Sequence, residues 1–126
     1  MKLHVLAALA LSALASCGSD DLGTGVEEPD CPKGSTLTYA ENIQPFMAEY
    51  CTSCHSASVP ESQRDGAPTN LNFDTEAEII ANTTGIIKQA AAGPGFKNTK
   101  MPEGDGPKPS NDERKMLGEW LACQAE

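Results

Sequence analysis

Cys51-Thr52-Ser53-Cys54-His55 is the stretch on which the reading of this chain turns. Two cysteines three residues apart, followed at once by histidine, admit three readings: a c-type haem attachment site, a thioredoxin-like redox pair, or half of a zinc site. On a helical turn, thiols at this spacing reach the two vinyl groups of a haem, and the adjacent imidazole is carried under the iron. A redox pair is expected in a βαβ setting, and no stretch of this chain alternates as a strand should. Zinc needs four ligands, and the candidate thiols Cys31 and Cys123 are scattered along the chain. The motif therefore selects one covalent haem c, held by Cys51 and Cys54, with His55 as an iron ligand.

Working outward, every periodic segment is helical. Thr38-Tyr39-Ala40-Glu41 fits a capping box, and Tyr39, Ile43, Phe46/Met47 and Tyr50 recur at helical spacing. Pro45 cannot donate to the preceding turn, so the spacing predicts a short turn over 39–43 and a helix from Pro45 into Cys54. Further helices are expected near Thr75 to Asn82 and over Ile86 to Ala92, the latter stopped by Gly93-Pro94-Gly95. Ser110-Asn111-Asp112-Glu113 is a second capping box, and Met116, Leu117, Trp120 and Leu121 form one apolar stripe behind it.

The N-terminus reads as an export signal. Met1-Lys2 precedes an Ala/Leu/Val run from Leu3 to Leu14, short of the roughly 20 residues that a spanning helix needs. The run ends in Leu14-Ala15-Ser16-Cys17, which resembles the bacterial lipobox. That resemblance implies lipidation of Cys17 as the first mature residue; ordinary cleavage nearby, leaving a stray thiol, is the plainer alternative. Residues 1–16 are then the signal peptide and 17–35, rich in Gly, Ser, Pro and acid, a flexible acidic tether. The domain proper is 36–126.

The 126 residues allow one domain, and no internal repeat is present. Nine basic against 18 acidic residues, a formal charge of −9, exclude a phosphate-tracking nucleic-acid binder. Apolar residues make up 39% and aromatics 5%, signal included. So thin a core needs cross-links or a cofactor, which an exported chain with five cysteines can supply.

With these segments in place, residues 38 to 123 resemble the small class I cytochromes c, specifically the lipid-anchored monohaem type of the bacterial envelope. In that family a helix leads into C-x-x-C-H and a proline-containing loop follows. A Met-Pro segment then supplies the second iron ligand, and a C-terminal helix packs across the first. Tyr39 to His55, Gly66-Ala67-Pro68, Met101-Pro102 and Ser110 to Cys123 fall in that order. The resemblance implies an all-α, cytochrome c-like fold of three to five short helices around the haem. It further implies that His55 donates its second ring nitrogen to the Pro68 carbonyl, against the plainer reading of Pro68 as a turn-former. Because the terminal helices meet in that fold, it also implies a Cys31–Cys123 disulfide, two free thiols being the alternative.

The second iron ligand can be approached from the residues as well. Loss of His4 with the signal leaves one histidine, so the candidates are Met, Lys, water or nothing. Met47 lies four residues before Cys51 and cannot reach the other haem face, while Met116 sits on the last apolar stripe as core filler. Met101 stands in a loop, Asn98 to Gly104, and is the candidate; Lys100 beside it is the alkaline substitute. The six aromatics, Tyr39, Phe46, Tyr50, Phe73, Phe96 and Trp120, are read as pocket and helix-contact residues.

His/Met ligation leaves no open site, so the resemblance implies a one-electron carrier and not an enzyme. The expected setting is the periplasmic side of the envelope, anchored by lipid, with the outer membrane favoured by Gly18 after the cysteine. Expected partners are redox proteins with basic patches, met by a monomer. Two alternatives stand: a gas or redox sensor or peroxidase-like module with a labile sixth ligand, for which Glu103 is a weak acid/base candidate, and a lipoprotein in which haem only organises the core.

Overall fold

The computed structural model describes residues 28–125; the signal peptide, the lipidation candidate Cys17 and the start of the tether lie outside them. Thr38 accepts from the Glu41 amide at 3.2 Å, but its own N–H donates to Asn42 Oδ1 at 2.9 Å, so Asn42 takes the part expected of Glu41. A π-helical turn, Tyr39–Ile43, runs directly into α1, Gln44–Tyr50. The turn over 39–43 and the change of helix type at Pro45 are as the spacing predicts: Pro45 stands in the first turn of α1, where its missing N–H costs little. α1 ends at Tyr50, four residues earlier than the spacing predicts, and Cys51 to Cys54 form successive turns.

A 3₁₀ turn at Glu61–Gln63 interrupts the long loop after His55. α2, Glu76–Ala81, opens on a reciprocal Thr75/Glu78 capping box. α3, Thr83–Ala90, follows at once, because Asn82 closes one helix and opens the next. α4, Asn111–Cys123, starts where Ser110 Oγ accepts from the Glu113 amide and Glu113 Oε2 accepts from the Ser110 amide. The described residues contain no strand, only an isolated bridge between Ala92 and Lys97. No described helix is long and apolar enough to cross a membrane.

One core joins these pieces: Ile43, Phe46 and Met47 from the first helical segment, Phe73, Ile79 and Ile86 from the middle, and Leu117, Trp120 and Leu121 from α4. α4 packs against both the π-helical turn and α3. Gly118 makes a close pass possible: a Cβ there would collide with the Ala92 carbonyl and press on Pro29. Segment 91–93 therefore lies directly on the helix, and the Ala92 N–H donates to the Arg114 carbonyl at 3.0 Å.

The tether expected over 17–35 is shortened by what its end is bonded to. Pro29 is buried, Cys31 is disulfide-bonded to Cys123 (Cα–Cα 4.8 Å), and Ser35 Oγ donates to Glu119 at 2.7 Å. From Pro29 onward the chain belongs to the folded domain and rides on α4.

Candidate functional site

A cavity of about 290 Å³ opens between α1, the loop after His55, α3 and the segment around Met101. Cys51, Cys54, His55 and Met101 all line it, together with Phe46, Met47, Leu71, Phe73, Ile86 and Leu117. The expected site residues, which come from two segments some 46 positions apart, thus meet on one mostly apolar wall. Met116 is outside this wall, packed against the core.

His55 is fixed at three points. Its carbonyl accepts from the Phe73 amide at 2.9 Å, its ring stacks on Phe73 at 4.9 Å, and its Nδ1 donates to the Leu71 carbonyl at 3.1 Å. A carbonyl can only accept, so Nδ1 carries the proton and Nε2 is left with its lone pair free to bind a metal. The acceptor expected at Pro68 is therefore corrected to Leu71. Arg64 arranges both carbonyls, its Nη2 donating to Pro68 at 2.7 Å and to Leu71 at 3.0 Å, and the loop so folded brings the Leu71 carbonyl to the imidazole. Pro68 itself remains part of the cavity wall.

Arg64 is a residue that periodicity does not single out. Its guanidinium is buried, and its five bonds go to the carbonyls of Ser56, Ala67, Pro68 and Leu71 and to Asn72 Oδ1. It shares the Leu71 carbonyl with His55, so the same cation that folds the loop also fixes the imidazole's acceptor.

Burial pushes the Cys51 thiol up to about 12, offset only in part by the positive charge of Arg114. A thiol held so firmly protonated is the reverse of a redox-active pair, whose attacking cysteine needs a lowered value. The zinc alternative lacks its donors: Cys31 and Cys123 are bonded to each other, and among the described residues no cluster of three His, Cys, Asp or Glu could hold a metal ion. At the wall, the Tyr50 hydroxyl donates to Glu113 Oε1 at 2.9 Å, and that acceptor holds the phenol above its ordinary value.

The residues present fit a covalently held haem. The wall is apolar, two thiols and an imidazole nitrogen lie within five residues of one another, and a thioether faces the same space from another segment. One buried acceptor, Gln89 Oε1, has no partner among the described residues and belongs to the same wall. The acidic side chains on the wall are Glu49, Asp65 and Glu103, and the only cation is Arg64, already committed to its loop.

The geometry defines a small, mostly helical, disulfide-closed domain around one apolar cavity. Comparison with known protein families, curated proteins and solved structures gives no match to this chain.

Proposed function

We propose that this chain is a cytochrome c-like electron carrier of the bacterial envelope, holding one covalent haem c between His55 and Met101. The observation that supports this reading most directly is the convergence of Cys51, Cys54, His55 and Met101 on a single apolar cavity. When bound, the haem supplies a one-electron Fe(III)/Fe(II) couple. Cys51 and Cys54 would hold the group by thioethers formed as their S–H bonds add across its vinyl groups, His55 would ligate through Nε2 while Leu71 fixes its ring, and Met101 would offer a thioether that favours the ferrous state. The apolar wall keeps water from the metal, and Glu49, Asp65 and Glu103 give the cavity an acidic margin that suits partners with basic patches. Lipidation at Cys17, outside the described residues, would confine the carrier to a membrane surface, the outer membrane being the favoured one.

The test is to express the protein with a c-haem maturation system and record spectra before and after dithionite. Haem that survives denaturation, with a weak far-red ferric band that disappears in Met101→Ala, is the result expected of sulfur ligation. Covalent haem without that band, in a ferrous form that binds carbon monoxide readily, transfers the chain to the sensor or peroxidase-like class.

A further inference from the structure

The sequence contains two arginines, and both are buried. Arg64 is absorbed by its own loop. Arg114 is 3% exposed and sits on the inner stripe of α4, in step with Leu117 and Leu121. Its Nη1 donates to the carbonyls of Ala90 at 2.7 Å, Asn98 at 2.9 Å and Met101 at 2.8 Å. All three acceptors are backbone groups, and they are drawn from the end of α3 and from a stretch, residues 91–110, that contains no helix. The Met101 N–H is taken in turn by the Gln89 carbonyl at 2.9 Å. The main chain at Met101 is therefore bonded on both sides, once to α3 and once to α4.

We infer that Arg114 is the positioning residue for Met101, the group that decides how firmly the thioether is kept in the cavity. This rests on the reading of Met101 as an iron ligand. A buried guanidinium is costly unless its donors are engaged, and here Nη1 is engaged by gathering carbonyls that regular structure leaves loose. With a neutral side chain in its place, those carbonyls lose their donor and the segment must open to reach water, carrying Met101 with it. The outer part of the same loop is held separately, by Lys108 Nζ donating to the carbonyls of Pro102 and Gly104. Loss of Arg114 thus loosens the Met101 end without dissolving the whole loop. Lysine keeps the charge but presents its donors from one flexible point, so it restores only part of the anchoring.

The experiment uses the haem-loaded protein and compares wild type with Met101→Ala, Arg114→Gln, Arg114→Lys and Ile79→Val, the last a core substitution away from the cavity wall. Two quantities are read under conditions where urea titration shows each variant folded: the far-red ferric band and the affinity of the ferric form for imidazole. Arg114→Gln weakens the band and tightens imidazole binding by roughly tenfold to a hundredfold, Arg114→Lys falls between it and wild type, and Ile79→Val loses stability with the band intact. Wild-type band and imidazole affinity in Arg114→Gln overturn the inference; if that variant does not fold, the same result in Arg114→Lys overturns it. A wild-type spectrum that lacks the band, or keeps it in Met101→Ala, instead removes the ligand assignment on which the inference rests.

Discussion

The loop after His55 and the loop around Met101 are held in opposite ways. After His55, Arg64 closes its loop through acceptors no more than eight residues away along the chain. Around Met101, Arg114 reaches acceptors 13, 16 and 24 residues away. The first arrangement is local and complete in itself. The second exists only while α4 is docked, so whatever holds α4 also holds Met101, whereas His55 is insulated from it. On the proposed haem reading, a locally held His55 and a Met101 that depends on tertiary packing would suit one ligand that must stay and one that can be adjusted.

The sharpest way to break the local half is Arg64→Met. Five acceptors, one buried and four partly buried, the carbonyl shared with His55 among them, lose the arginine together, and a loss of about 4 kcal/mol is expected from a group of such penalties. Urea unfolding measures it. A loss below about 1 kcal/mol would show that the loop is held by something other than Arg64.

The distal half is broken through α4. Cys31→Ser with Cys123→Ser opens a covalent loop with a sequence separation of 92 and should cost about 2–4 kcal/mol, less where haem already restrains the unfolded chain. Hydrogen exchange then tells the two loops apart: the Met101 amide should lose protection well before the Phe73 amide, which is bonded to His55. Equal losses would mean that the loops open together. Gly118→Ala asks the same question more gently. Alanine favours helix by up to about 1 kcal/mol, but its methyl meets the Ala92 carbonyl, and the net expectation is a loss of about 1–2 kcal/mol as segment 91–93 is pushed off α4.

What could be read from the sequence divides along the same line. The motif at Cys51–His55, the α4 capping box at Ser110 and the helical stripe of Leu117 and Leu121 are signals of short range, and the structure contains the corresponding turns and helices. The end of α1 is not legible, because no breaker stands at Tyr50 or Cys51; the helix ends where Cys51 leaves helical geometry. The acceptor for His55 is not legible, because a main-chain carbonyl carries no side-chain signature, and the loop that brings Leu71 and not Pro68 to the ring is folded around Arg64 in three dimensions. Arg114 was legible in one respect: a charge three residues before Leu117 on an apolar stripe asks for buried partners. That those partners include Met101 is a long-range fact. Pro29 and the end of the tether were assigned by composition, which cannot see a disulfide.

The smallest expected effect separates the two halves by pH. Asp74 belongs to the loop after His55, where the Ser56 hydroxyl and the Ala57 N–H hold its carboxyl below 3.8; Glu113 opens α4, where the Ser110 N–H and hydroxyl and then Tyr50 hold it below 4.5. Both folded values lie below the unfolded ones, so the unfolded chain binds more protons, and the stabilisation is present above those ordinary values and lost as pH falls through the folded ones. Stability should therefore decline below about pH 4.5, with Asp74→Asn and Glu113→Gln each flattening part of that decline. Asp74 is exposed and Glu113 only half-buried, so solvent screening keeps each contribution small. Their reach differs, because Glu113 is the neighbour of Arg114 and Asp74 is not. In Glu113→Gln the Met101 amide should exchange faster at neutral pH, while in Asp74→Asn it should not change. If both substitutions move it equally, the Met101 segment is coupled to the whole domain and not to α4, and the contrast between the two loops disappears.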